Sequence, residues 1–165
     1  MDNVSTHTRL VSVTKAALVT GLYVALTMLF APLSFGAIQI RFAEIFNNLA
    51  IFNKRYIWAV TLGCIIANFW SSMGLVDVVF GSIETLLMTS ISYYLSQKVK
   101  QLPAKFAIVV IICTLSSWII GLELYYVLGL PFWFSYLTVA IGEFISVALG
   151  AVIFWAISKK VDLTA

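Results

Sequence analysis

Long apolar runs joined by short polar segments constrain this chain more than any other feature of its sequence. They cover residues 10–33, 39–53, 56–72, 75–97, 106–129 and 132–157. A helix needs about 20 mainly apolar residues to cross a bilayer, whereas the strands of a membrane barrel alternate in polarity. These runs are continuous and do not alternate, so we expect an all-α integral membrane protein with six transmembrane helices.

The composition leaves few alternatives to a membrane location. Of the 165 residues, 62% are hydrophobic and 10% are charged. Typical soluble domains have about 45–50% and about 25%, respectively, and a soluble domain of this size exposes too much surface to hide so many apolar side chains. We therefore expect a multi-pass protein of the cell membrane, with a single transmembrane domain over residues 1–165.

Basic residues predict the orientation of the helices. With six spans and a cytoplasmic N-terminus, nine of the ten lysines and arginines fall on the cytoplasmic side, and only Arg41 falls outside. Cytoplasmic loops of membrane proteins carry such an excess. An odd number of spans would scatter these residues over both sides, so we expect both termini to be cytoplasmic. Because the basic residues lie at the ends of the runs, we expect no nucleic-acid partner.

Five acidic residues inside the predicted spans are the strongest candidates for function. An ionisable group in a span costs roughly 2.5–3.5 kcal/mol on insertion scales and is a functional candidate by default. With the predicted topology, all of them lie in the outer half of the membrane: Glu44, Asp77, Glu84, Glu123 and Glu143. Lipid would leave polar groups unpaired, so we expect these side chains to face inward and to form an acidic pocket open to the outside.

Helical spacing groups these acids with other polar side chains, because residues at i, i+3, i+4 and i+7 share a face of a helix. The faces are Arg41, Glu44 and Asn48; Thr61, Cys64 and Asn68; and Asp77, Phe80, Gly81 and Glu84. Three tryptophans are expected near the rim of the pocket: Trp70, Trp118 and Trp133.

Simpler roles remain open for several of these residues. The tryptophans could be ordinary residues of the membrane interface, and Asp77 could cap the start of its helix. Arg41 and Glu44 could form a local ion pair at i, i+3, and Glu123 could be solvated. Glu84 and Glu143 are harder to explain in this way, because they lie too deep in their spans to reach water without a cavity.

An acidic pocket favours a ligand that carries positive charge or several N–H donors. A carboxylate accepts two hydrogen bonds side by side, which suits guanidine-like and guanine-like edges. The residues alone therefore predict a small cationic or donor-rich heterocycle, or a monovalent cation, as the ligand.

The chain lacks the motifs of common enzymes, and we expect no catalytic activity, cofactor or metal. A GxxxxGK[ST] loop is absent, which argues against ATP hydrolysis by this chain, and the one histidine, His7, lies in the N-terminal tail. An aspartyl protease of the membrane would need two aspartates, but only Asp77 lies in or near a span. Cys64 and Cys113 have no CxxC spacing and are expected to be buried thiols.

Small residues recur at intervals of four in three of the runs. The sets are Ala17, Gly21 and Ala25; Ala59, Gly63 and Ala67; and Gly142, Ser146 and Gly150. This spacing lets helices approach closely. Most of these sets are expected to serve packing within the bundle, and one of them could be an exposed face on which a partner subunit docks.

Four stretches of the chain resemble the QueT family, the substrate-binding S components of energy-coupling factor (ECF) transporters. They are Gln39-Ile-Arg41-Phe-Ala-Glu44, Gly63-Cys-Ile-Ile-Ala-Asn68, Gly74-Leu-Val-Asp77-Val-Val-Phe80-Gly81-Ser82 and Gly142-Glu143-Phe-Ile-Ser146. The resemblance implies a six-helix S-component bundle and a queuosine precursor, 7-aminomethyl-7-deazaguanine, as ligand. It also implies a transmembrane scaffold subunit and two ATPase subunits as partners, with Ala17, Gly21 and Ala25 docking on the scaffold, and uptake by toppling of the S component.

With that ligand, the expected substrate-binding residues are Arg41, Glu44, Asn68, Asp77, Phe80, Glu84, Trp118 and Glu143. Our hypothesis is that Glu44 or Glu143 accepts the guanine edge. An acid near Asp77 and Glu84 would pair with the ammonium group, and Asn68 or Arg41 would donate to the carbonyl oxygen. The sequence departs from the family pattern after Glu44, where Phe46-Asn47-Asn48 replaces a more apolar stretch.

Three other functions stay open at this point. An S component for another vitamin is the nearest, although five acids disfavour the anionic and neutral vitamins. A cation channel or exchanger would use the same carboxylates, but it would need a polar path through the inner halves of the helices, where few polar residues occur. A structural subunit without a ligand would leave the buried acids unexplained.

Overall fold

The computed structural model of the protein describes residues 2–35 and 40–164, with side chains from residue 9 onward. The helices are α1 (Asp2–Leu29), α2 (Ala31–Ser34), a 3₁₀ helix (Phe42–Ile51), α3 (Arg55–Asn68), α4 (Leu75–Ser96), α5 (Leu102–Ser116), α6 (Trp118–Leu128) and α7 (Phe132–Ser158). All regular structure in the described part of the chain is helical, which confirms the all-α class. Gln39, where the second apolar run begins, lies outside the described residues.

Four of the six predicted spans form helical segments that are long and apolar enough to cross a membrane. They are Arg9–Leu29, Leu75–Ser96, Leu102–Leu128 and Phe132–Ser158. The other two runs form shorter elements, the 3₁₀ helix of 10 residues and α3 of 14 residues. Six crossings and the side of each terminus therefore remain predictions.

The 3₁₀ helix lies at the centre of the bundle, where it packs against α1, α3, α4, α5 and α7. Ten residues at about 2.0 Å per residue cover only about 20 Å, less than the hydrocarbon core of about 30 Å. Backbone that departs from the α-helix is tolerated at this depth only where protein surrounds it. Almost all side chains of this helix are buried, which satisfies that condition.

Asn48 and Gly150 hold the 3₁₀ helix against α7. The Asn48 side-chain amide donates to the carbonyl oxygens of Ile45 and Val147, at 3.0 Å each. A Cβ atom at Gly150 would lie 2.6 Å from the Ile45 carbonyl oxygen, a distance that real side chains do not reach. The close approach of the two elements therefore depends on a glycine at position 150.

The fifth run differs from its predicted bounds of 106–129. Helix α5 begins at Leu102 because Pro103 occupies the first turn, where a missing N–H costs nothing. The helix is interrupted at the fully buried Ser117, and α6 then continues to Leu128. Gly129 ends α6 in the left-handed conformation with φ of 68°, as glycine commonly does.

Candidate functional site: a buried acidic cluster

All five acids of the apolar runs lie inside the protein, on four different elements. Glu44 is in the 3₁₀ helix, Asp77 and Glu84 are in α4, Glu123 is in α6 and Glu143 is in α7. None of these residues is more than 7% exposed. The inward orientation expected from the sequence is therefore confirmed, and a solvated Glu123 is excluded because that residue is fully buried.

Arg41 pairs with Asp77 rather than with Glu44. Its Nη2 atom lies 2.9 Å from Asp77 Oδ1, and both residues are buried. The two simpler roles considered for these residues are therefore wrong: Arg41 and Glu44 form no local ion pair, and Asp77 does not cap α4, which begins at Leu75 without a side-chain cap.

Asn68 supports the Arg41–Asp77 pair from α3. Its Nδ2 atom donates to the main-chain oxygen of Asp77 at 2.9 Å. Gly81 completes the contact, because a Cβ atom there would collide with the Asn68 amide and would lie 3.3 Å from Arg41 Nη1. The second and third polar faces of the sequence, on α3 and α4, thus meet at one point next to Arg41.

Glu44 is held by two side chains that the sequence-based site did not include. Tyr23 of α1 donates its hydroxyl to Glu44 Oε1 at 2.5 Å, and Asn47 donates its amide to Glu44 Oε2 at 2.5 Å. Asn47 lies three residues after Glu44, in the stretch that departs from the family pattern. This position was the sequence feature that could have identified Asn47 as a partner of Glu44. Tyr23 lies in an apolar run, and its spacing gives no sign that it reaches an acid 21 residues later.

Three acids retain carboxylate oxygens without a hydrogen-bond partner among the described residues. These atoms are Glu84 Oε1, both oxygens of Glu123, and Glu143 Oε1. Glu84 interacts electrostatically with Glu44, Asp77 and Glu123, and Glu143 interacts with Glu44 and Glu84. The five acids and Arg41 therefore form one network, which we call the acidic cluster.

The acidic cluster has fewer hydrogen-bond donors than acceptor oxygens. Buried polar atoms almost always have a partner, and leaving one unpaired costs about 1–3 kcal/mol, or more for a charged group. Five carboxyl groups share a single guanidinium here, and Asp77 Oδ2 and Asn47 Oδ1 are also without partners in the described part of the chain. The arrangement suits a ligand that brings N–H donors or positive charge.

Two of the expected binding residues lie apart from the acidic cluster. Trp118 is 49% exposed and borders a surface groove together with Phe80, which is half-buried. Phe80 packs beside Ile120 and Leu124 rather than among the acids. The structure therefore does not bring Trp118 or Phe80 together with the acidic cluster.

The remaining expected features are placed as follows. Trp70 and Trp133 are strongly exposed, as residues at a membrane interface are. Cys64 and Cys113 are both buried, as expected. Within the described ranges, no three histidine, cysteine, aspartate or glutamate side chains converge closely enough to hold a metal ion.

Comparison with known proteins identifies the family. The family model of the QueT transporter matches residues 13–159. The queuosine precursor transporter QueT of Lactococcus lactis subsp. cremoris (strain MG1363) is 41% identical over 157 residues, which cover 90% of this chain and 92% of that protein. No solved structure matches the chain. With its apolar helices and this match over most of its length, the chain is a multi-pass membrane protein that belongs to the QueT transporter family.

Proposed function

We propose that this chain is the membrane-embedded substrate-binding subunit, or S component, of an ECF transporter. It captures 7-aminomethyl-7-deazaguanine from outside the cell for ATP-driven uptake. The observation that carries this proposal is the acidic cluster, where buried carboxylate oxygens of Glu84 on α4 and Glu143 on α7 lack donors among the described residues. The name of the Lactococcus relative, a queuosine precursor transporter, supports the class of ligand.

The ligand supplies what the acidic cluster lacks. It carries a protonated amine and a guanine edge with adjacent N–H donors, and carboxylates bind both groups through charge-assisted hydrogen bonds. One bound molecule would thus bring positive charge and donors to oxygens that have no partner within the described residues.

The hydrogen bonds within the site support a choice of which acid binds which group of the ligand. Glu44 already accepts from Tyr23 and Asn47, so Glu143, with Oε1 unpartnered, is the better acceptor for the guanine edge. Asp77 is neutralised by Arg41, which leaves Glu84 to pair with the ammonium group.

The carbonyl oxygen of the ligand needs a donor, and two were expected. Asn68 already donates to the main chain of Asp77. Arg41 keeps its Nε–H without a partner among the described residues. Arg41 is therefore the better candidate.

Uptake driven by ATP requires partner subunits, because the chain has no phosphate-binding loop of its own. We propose a transmembrane scaffold and two ATPase subunits, with Ala17, Gly21 and Ala25 of α1 as the docking face. These three residues are exposed, and they border a groove of about 650 Å³ between α1 and α3.

The first test is a calorimetric titration of the purified chain with 7-aminomethyl-7-deazaguanine. We expect tight binding of this compound, weaker binding of guanine, and no binding of riboflavin. Glu143→Gln should weaken the binding of both purine-like ligands by at least about 2 kcal/mol, or roughly thirtyfold in Kd, because it removes a buried charged acceptor. Glu84→Gln should weaken the binding of the aminomethyl compound alone and so reduce the preference of the protein for this compound over guanine.

Glu123→Gln is the matched comparison, since Glu123 is also a buried glutamate of the network. We expect it to weaken binding less than Glu143→Gln does. Equal and negligible effects of all three substitutions, in protein that stays helical and monodisperse, would contradict the assignment of roles. Absence of binding to folded wild-type protein would contradict the proposed ligand, and cationic vitamins such as thiamine would be titrated next.

A further inference from the structure

A second apolar groove lies on the surface of the bundle, between α5 and α7. It has a volume of about 480 Å³ and is bordered by Phe106, Ala107, Val110, Ala148, Ala151 and Trp155. The alanines on both helices keep the groove open, and Phe106 and Trp155 stand at the end where α5 begins and α7 ends. None of these residues belongs to the acidic cluster or to the small-residue face of α1.

Positive charge is concentrated at this end of the groove. Lys159 lies one residue beyond the end of α7, and its Nζ atom is 3.6 Å from the centroid of the Trp155 ring. Lys105 lies in the first turn of α5, next to Phe106 in sequence, and is half-buried. Neither lysine forms an ion pair within the part of the chain that the structure describes.

Neighbouring basic residues add to this charge. Lys98 and Lys100 precede α5, and Lys160 follows Lys159. The groove therefore has a positively charged end that can attract an anionic ligand.

An apolar groove with lysines at one end fits an amphiphile that has an apolar chain and an anionic head. In a membrane, this combination describes an anionic phospholipid, and basic pockets between transmembrane helices bind such head groups. We propose that the groove between α5 and α7 binds an anionic phospholipid, with one acyl chain against the alanines and the phosphate at Lys105 and Lys159. A zwitterionic lipid fits the same groove but lacks the net charge that the lysines attract.

The test is native mass spectrometry of the purified protein with phosphatidylglycerol or phosphatidylcholine of identical acyl chains. We expect the wild-type protein to retain phosphatidylglycerol preferentially, in a ratio of one lipid per chain. Lys159→Gln should reduce this retention about fivefold, since one lysine near the membrane surface is worth about 1 kcal/mol of attraction to anionic lipid. Lys105→Gln combined with Lys159→Gln should reduce it further.

Two further variants separate the groove from general attraction by basic residues. Lys54→Gln is matched in charge and setting, because Lys54 also lies over aromatic rings, 5.5 Å from those of Tyr93 and Tyr94. Those rings do not line the groove, whereas the Trp155 ring below Lys159 does. Lys54→Gln should leave retention unchanged. Ala107→Phe fills the groove from an exposed position without altering any charge, and it should reduce the retention of phosphatidylglycerol.

Three outcomes would overturn the proposal. They are equal retention of the two lipids, an equal effect of Lys54→Gln and Lys159→Gln, and unchanged retention in Ala107→Phe. Lys54, Lys159 and Ala107 are exposed, so these single substitutions leave the core intact. Circular dichroism of each variant verifies equal helical content before the lipids are compared.

Discussion

Arg41 connects parts of the chain that are far apart in sequence. Its guanidinium bonds to Asp77, 36 residues later, and so ties the start of the 3₁₀ helix to the first turn of α4. A buried ion pair adds little net stability, because desolvation offsets the attraction. Removing one partner, however, leaves an isolated charge in an apolar interior, which is strongly unfavourable.

This asymmetry predicts the behaviour of variants at the pair. Arg41→Met should lower the free energy of unfolding by about 3–5 kcal/mol, because it leaves Asp77 buried without a cation. Adding Asp77→Leu should restore most of the lost free energy of unfolding, since both charges are then gone. Denaturant unfolding in detergent micelles measures both effects, and Arg9→Met, at an exposed arginine, is the control. This account would be contradicted if the double variant lost as much free energy of unfolding as the two single variants lose together.

At the scale of elements, the three small-residue sets have the same spacing but different surroundings. Gly63 of α3 faces α1, where its Cβ position would lie 2.8 Å from that of Tyr23, and Gly150 of α7 faces the 3₁₀ helix. Gly21 of α1 is exposed, with nothing within 4 Å of its Cβ position. Two sets therefore serve packing inside the protein, and the described residues leave the α1 set uncovered.

The uncovered face of α1 predicts a separation between docking and substrate binding. Gly21→Leu should prevent co-purification of the chain with the proposed scaffold and ATPases, because a bulky side chain blocks close helix approach. Binding of 7-aminomethyl-7-deazaguanine should be unchanged, since Gly21 touches no residue of the acidic cluster. Ala156→Leu, at an exposed small residue of α7, is the matched control. Normal co-purification of Gly21→Leu would exclude α1 as the docking face.

At the scale of the whole molecule, the distribution of polar and apolar side chains differs from that of a soluble protein. The five acids of the acidic cluster are buried, and large apolar side chains such as Leu22, Val79 and Phe144 are exposed where lipid would meet them. This arrangement follows from the bilayer as solvent, because lipid accepts apolar surface but cannot pair polar groups.

The proposed topology predicts which loops react from each side of the membrane. Pro131→Cys, in the exposed connection between α6 and α7, should react with a membrane-impermeant maleimide in intact cells. Gln101→Cys, just before α5, should react only after the cells are permeabilised. The natural thiols, Cys64 and Cys113, are buried, so the wild-type protein provides an unlabelled background. Labelling of Gln101→Cys in intact cells would reverse the proposed orientation.

The sequence by itself determined the helical class, four of the six predicted spans and the inward position of the five acids. These features depend on solvent preference: apolar runs of sufficient length partition into lipid, and ionisable groups within them must avoid it. The family was also recognisable from short stretches around Arg41, Asn68, Asp77 and Glu143. None of these conclusions requires knowledge of which helix contacts which.

Only the tertiary structure decided which side chains interact with one another. Helical periodicity states which residues share a face, but not what that face meets, and so it linked Arg41 to Glu44 rather than to Asp77. It also gave no reason to connect Tyr23 with Glu44, or to exclude Trp118 from the acidic cluster. The 3₁₀ geometry of the second run likewise depends on its neighbours, because a segment surrounded by protein escapes the length and hydrogen-bonding limits that lipid imposes.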